Sequence, residues 1–118
     1  MTTATITGLL VKVTGRAEVL TVPSDWRELN AVIGAAWGEV VRTILPGVLL
    51  WVDDEGRLAH KPANAGVTHR LYPGVIAGDA FIVGQTDDSE ADVASLTDRQ
   101  LAELASWFTF RPASGRTV

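Results

Sequence analysis

The sequence predicts a small α+β domain: a mainly antiparallel sheet with two main helices packed on one face. Short runs of β-branched and apolar residues, separated by glycine and proline, are typical of strands joined by tight turns. Two other segments place apolar residues at helical spacing. We expect the helices on one face because one-sided covering is the common solution for antiparallel sheets.

The chain begins with a predicted hairpin. Residues 5–13 are β-branched and apolar and predict a strand, and Gly15 with Arg16 predicts the turn. Residues 17–23 predict the returning strand, which ends at Pro23 because proline has no backbone N–H to donate.

A helix is predicted directly after the hairpin. Ser24 or Asp25 can cap it, and Asp25 with Glu28 has the spacing of a capping box. Gly34 or Gly38 predicts the end, since glycine tolerates the left-handed turn that closes helices. The apolar face consists of Trp26, Leu29, Ile33 and Ala36.

The middle of the chain predicts further strands. Residues 39–45 and 48–52 form two of them, and the second run is apolar enough to be buried on both faces. Residues 53–56 are acidic turn formers ending in glycine, which indicates a hairpin loop before a short return strand at 57–59. Residues 60–74 are irregular, with a short helix predicted over 64–71.

The last strand is predicted from Val75 and Ile76 through residues 80–83. An acidic, solvated loop follows at residues 85–95. Thr97 and Gln100 form a capping box that starts the second main helix. The whole pattern predicts one domain over residues 1–110 and a flexible C-terminal tail over residues 111–118.

Composition excludes several classes of function. The chain has no cysteine, so disulfides, thiolate chemistry and cysteine-based zinc sites are excluded. Its net charge of −4 comes without a basic cluster, so nucleic acid is not an expected partner. No apolar run reaches the ~20 residues that span a bilayer, and the N-terminus does not resemble a secretory signal. We therefore expect a cytoplasmic protein with no membrane partner.

No catalytic motif stands out, and we expect a protein that is not an enzyme and carries no metal or cofactor. His60 and His69 alone are too few for a zinc site, which needs three or four ligands. Four polar or aromatic residues in the irregular segment nevertheless combine hydrogen-bonding groups, positive charge and a ring, which suits an anionic or nucleotide-like ligand and equally a protein contact. These candidate ligand-binding residues are Asn64, His69, Arg70 and Tyr72.

Each of the four tryptophans lies in or beside an apolar run, so core packing is expected for most of them. Trp37 is the exception, because it precedes Gly38 at a predicted helix end, where partial exposure is expected. An exposed tryptophan is a candidate hot spot for binding. Trp37 is therefore the candidate interface residue.

Five runs along the chain resemble a family of small proteins from bacteriophages and bacteria, the domain of unknown function numbered three-eight-four-six. The runs are residues 29–34, 39–41, 50–56, 61–64 and 78–84. The resemblance brings no established enzyme activity and so no catalytic residue. It implies an accessory gene on a phage or other mobile element, whose product acts inside the bacterial cell.

Two functions are expected on these grounds. The first is a non-enzymatic, phage-type accessory protein that binds an unknown host or phage protein, or forms a homo-oligomer, through an exposed apolar-aromatic patch or a sheet edge. The alternative is a small-ligand binder that sequesters a nucleotide in the irregular segment.

Overall fold

The computed structural model of the protein describes residues 4–86 and 93–111. Seven strands and two helices form in these ranges. The strands are β1 (Thr5–Val11), β2 (Ala17–Pro23), β3 (Gly38–Arg42), β4 (Val48–Asp53), β5 (Ala80–Gln85), β6 (Val93–Ala94) and β7 (Phe110–Arg111). The helices are α1 (Trp26–Ile33) and α2 (Asp98–Leu104).

The strands belong to one sheet in the order β3-β4-β5-β1-β2-β7, and β6 pairs with the end of β5. Every pairing is antiparallel except the short parallel contact between β2 and β7. The mainly antiparallel α+β class predicted from the sequence is confirmed.

The two faces of the sheet carry two separate apolar clusters, because successive strand residues point to opposite faces. Leu10 and Phe81 join the cluster that contains Leu29 of α1. Ile82 joins the other cluster, to which Leu104 of α2 belongs. Packing of both helices on one face is therefore not confirmed: their buried residues lie in different clusters. The reason is that β4 and β5 are apolar on both faces, and each face requires a cover.

Local signals at the helix ends largely agree with the structure. Asp25 caps α1 as predicted, but its side chain accepts from the amide of Arg27 and not from that of Glu28, the residue of the predicted capping box. Helix α1 ends at Gly34, which lies in the left-handed region. Helix α2 has the predicted capping box between Thr97 and Gln100, with both hydrogen bonds formed.

The segment from residue 54 to 79 departs most from prediction. Residues 57–59 lie in turns, and the neighbours of β4 are β3 and β5. No helix forms over residues 64–71, which run through turns and an isolated bridge at Thr68, and the last predicted strand starts only at Ala80. This segment covers one face of the sheet with the buried side chains of Val67, Leu71 and Ile76.

Two expectations fall partly outside the described ranges. Residues 87–92 of the predicted acidic loop and residues 112–118 of the predicted tail lie outside the described residues. Arg111, assigned to that tail from the sequence, is part of β7.

Candidate interaction surface

The four predicted ligand-binding residues lie in one irregular segment, but Asn64 faces the interior. It is 0% exposed. Its side-chain amide donates to the carbonyl oxygens of Val11 at 2.8 Å and Gly78 at 3.1 Å, and its side-chain oxygen accepts from the amide of Gly66. These bonds satisfy both donors of the side chain, so the residue joins the irregular segment to β1.

Arg70 is also engaged within the protein. Its guanidinium donates to the carbonyl oxygens of Gly66 and Trp107, both at 3.1 Å. It also lies 5.7 Å from the ring centre of Trp107 and 5.6 Å from that of Phe108. Arg70 thereby fastens the segment that follows α2 onto the irregular segment.

The other two candidates of this group lie nearer the surface. His69 is exposed and adopts a positive φ of 54°, which is uncommon outside glycine. Its amide donates to the carbonyl oxygen of Gly74. Tyr72 is half-buried and packs against the cluster of α2. The structure therefore leaves His69 and part of Tyr72 accessible to a ligand, while Asn64 serves the fold.

Trp37, the predicted interface residue, is exposed and is stacked on a second exposed tryptophan. Trp37 is 61% exposed and Trp26 is 50% exposed. Their ring centres are 6.4 Å apart and their planes differ by 2°. We call these two residues the tryptophan pair. Trp26 was assigned to the buried face of α1 from its spacing, and that prediction was wrong.

Arg27 extends the same surface. Its guanidinium carbon lies 4.9 Å from the ring centre of Trp26, in the arrangement of a cation–π contact. Arg27 immediately follows Trp26 at the start of α1, so the tryptophan pair carries a cation at one end.

A buried hydrogen-bond relay fixes the chain that carries Trp37. Asn30 of α1 is 4% exposed. Its side-chain oxygen accepts from the indole nitrogen of Trp51 at 2.9 Å, and its amide donates to the carbonyl oxygen of Ala36 at 3.3 Å. Gly38 is required beside this relay, because a Cβ there would collide with the side chains of Asn30 and Trp51. The residues on both sides of Trp37 are therefore held in place.

Two carboxyl groups meet where β3 starts and β4 ends, close to the backbone of Trp37. The amide of Asp54 donates to the carbonyl oxygen of Trp37 at 2.9 Å, which extends the pairing of β3 with β4 by one residue. The side chain of Asp54 shares a hydrogen bond with that of Glu39. This hydrogen bond, burial and the charge of Asp54 raise the pKa of Glu39 above its ordinary value. We call Glu39 and Asp54 the carboxyl pair.

Lys61 neutralises a neighbouring carboxylate but not the carboxyl pair. Its ammonium group forms an ion pair with Asp53 and donates to the carbonyl oxygen of Gly34 at 2.9 Å. A cleft of about 160 Å³ beside Lys61 is lined in part by Asp79, which accepts from the amide of Val13. The charged groups of this cleft are thus already bonded within the protein.

A second concave feature is a groove of about 430 Å³ along α2, lined by Leu101, Ala105, Phe108 and Phe110 among others. Among the described residues, no three histidine or acidic side chains are placed to hold a metal ion. No helix within residues 4–86 and 93–111 combines the length and apolarity needed to cross a membrane.

Sequence reasoning identified Trp37 but missed Trp26, Asn30 and the carboxyl pair. A signal for Asn30 was present, since a polar residue adjoins the apolar stripe of α1. The carboxyl pair was harder to find, because its members are distant in sequence and meet only through the register of β3 and β4.

Comparison with known proteins identifies a family but no individual related protein. The chain matches no curated protein and no solved structure. The family described as a domain of unknown function, DUF3846, matches residues 6–109 and confirms the resemblance seen in the sequence. The chain therefore belongs to the DUF3846 family.

Proposed function

We propose that the protein is a non-enzymatic, phage-type accessory protein that binds another protein in the bacterial cytoplasm through the tryptophan pair. The observation that carries the proposal is the stacking of two exposed indoles on each other. Single exposed apolar residues are normal on protein surfaces. Two adjoining tryptophans form a contiguous apolar area, which is typical of an interaction site.

The surroundings of the pair support a binding role. The relay through Asn30 holds the chain beside Trp37, so little conformational freedom remains to be lost when a partner binds. Tryptophan is also enriched among residues that dominate binding energy. The phage context and the location in the bacterial cell come from what the family resemblance implies.

Site-specific photo-crosslinking in bacterial cells tests the proposal. A photoreactive amino acid replaces Trp37 in one variant and Val75 in the control, since Val75 is also an exposed apolar residue. We expect an adduct with a defined protein at position 37 and none at position 75.

The partner identified in this way is then purified and its affinity is measured. Trp37→Ala should weaken binding by at least tenfold, as expected for a hot-spot tryptophan, while Val75→Ala should leave affinity unchanged. Equal binding by both variants, or equal adducts at both positions, contradicts the proposal.

A further inference from the structure

Within residues 4–86 and 93–111, strand β3 forms an edge of the sheet, because β4 is its only neighbour in the strand order. Backbone groups on such an edge are available for pairing with another chain. The edge begins directly after Trp37, so it is continuous with the tryptophan pair.

The backbone hydrogen bonds between β3 and β4 show which residues of β3 direct their N–H and C=O groups away from β4. The amide of Asp54 donates to the carbonyl of Trp37, and the amide of Thr43 donates to that of Val48. Hydrogen-bonded positions alternate along an antiparallel strand. The odd-numbered residues of β3 therefore bond to β4, while Gly38 and Val40 direct their N–H and C=O groups away from it.

The side chains at this end of the edge favour a cationic group. The register places Asp54 opposite the backbone of Trp37 and one step along β4 from the partner of Glu39, so the carboxyl pair lies at the start of this edge. The carboxyl pair repels itself when both members are ionised, and a cation placed beside it would relieve that repulsion.

We propose that the edge of β3 receives an extended, basic segment of the partner protein, which adds to the sheet as a further strand. Its backbone pairs with Gly38 and Val40, and a lysine or arginine of the segment lies beside the carboxyl pair. This mode of recognition combines main-chain hydrogen bonds for affinity with side-chain contacts for specificity. The inference rests on the proposed function, since it names the chemistry of that partner.

Strand β3 of a second copy does not provide this cation. In a twofold pairing of two β3 edges, outward-turned residues lie opposite each other, and opposite residues share a face. Arg42 is the only cationic residue of β3, and its side chain lies on the same face of the strand as those of the other even-numbered residues. It therefore lies on the opposite face from Glu39 in every twofold register, so β3 of a second copy brings no counter-charge to the carboxyl pair.

An NMR titration of the isotope-labelled chain tests the inference with three synthetic probes. The first is a short peptide alternating lysine and valine, the second has glutamate in place of lysine, and the third is the lysine peptide with N-methyl groups on its pairing amides. We expect the first to shift the amides of Gly38 and Val40 and the indole of Trp37. The other two should bind at least tenfold more weakly, because one lacks the charge and the other the donors.

Variants of the protein complete the test. Glu39→Gln combined with Asp54→Asn should weaken binding of the lysine peptide about tenfold. The matched control is Glu103→Gln, which removes an exposed carboxylate of α2 and should change nothing. Equal binding of the lysine and glutamate peptides, shifts located away from β3, or no binding of any probe overturns the inference.

The outcomes separate this inference from the function on which it rests. If photo-crosslinking at Trp37 yields a partner but the lysine peptide does not bind, the edge-strand inference fails and the binding function stands. If crosslinking also yields nothing, both fail. A dimer detected by light scattering and abolished by substitutions in β3 would assign the edge to a second copy and overturn the inference.

Discussion

The indole nitrogen of Trp51 donates to the side-chain oxygen of Asn30 across 2.9 Å, and this bond joins β4 to α1. Asn30 uses its other side-chain group to hold the carbonyl of Ala36, one residue before Trp37. A single buried amide therefore couples the core to the exposed tryptophan pair.

Replacing Asn30 by alanine should lower the free energy of unfolding by about 1–3 kcal/mol, because the buried indole N–H of Trp51 loses its acceptor. The measurement is denaturant unfolding of the wild type, Asn30→Ala, Trp51→Phe and the double variant. A coupling energy near zero in this double-mutant cycle would contradict the pairing. We also expect altered fluorescence from the tryptophan pair in Asn30→Ala.

Asn64 should be among the most sensitive polar positions of the described chain. Asn64→Asp replaces a donor to the carbonyls of Val11 and Gly78 with an acceptor, so repulsion adds to the loss of both hydrogen bonds. We expect a loss of about 3 kcal/mol or more at neutral pH, measured by urea unfolding. Asn64→Ala removes the bonds without the repulsion and should cost less; an Asn64→Asp variant as stable as the wild type would disprove this role.

Arg70 should stabilise the segment after α2 through the placement of its two hydrogen-bond donors as much as through its charge. Arg70→Lys keeps the charge but cannot reach the carbonyls of Gly66 and Trp107 together, and we expect a loss of about 1 kcal/mol. Hydrogen exchange should become faster at residues 107–110. Arg57→Lys is the control, since that exposed arginine lies in a turn; equal effects of the two substitutions would argue against the contact.

The raised pKa of Glu39 gives a defined pH dependence. The folded protein holds the Glu39 proton more tightly than the unfolded chain, so the favourable contribution is present below the ordinary pKa of 4.5 and is lost as pH rises through the folded value. The melting temperature of Glu39→Gln minus that of the wild type should therefore be larger at neutral pH than at acidic pH. Thermal unfolding of both proteins at the two pH values measures this, and a constant difference would contradict it.

Local spacing was sufficient where neighbours in sequence decide the structure. The capping box of Thr97 and Gln100 formed as expected because both residues lie in one turn. The prediction that Trp26 lies on the buried face of α1 was wrong for a physical reason. Helical spacing identifies residues that share a face, but it does not tell how far along the helix the sheet extends, and Leu29 with Ile33 already fills that contact.

Long-range contacts set the limit for the candidate site. Asn64 looked like a ligand residue because it lies in an irregular, polar stretch, yet the carbonyls of Val11 and Gly78 converge on it from distant parts of the chain. The exposure of Trp37 was predicted from a helix end at Gly38; the ring is exposed, but α1 ends at Gly34 and Gly38 begins β3. The carboxyl pair depends on strand register, which spacing alone leaves undetermined.

The position of β5 has a consequence for biosynthesis. This strand lies between β4 and β1, so it joins the hairpin of β1 and β2 to the hairpin of β3 and β4. A nascent chain that ends before Ala80 carries two hairpins with no strand between them. The sheet can therefore be completed only after β5 has been synthesised, and until then β1 and β4 each lack one of their neighbouring strands.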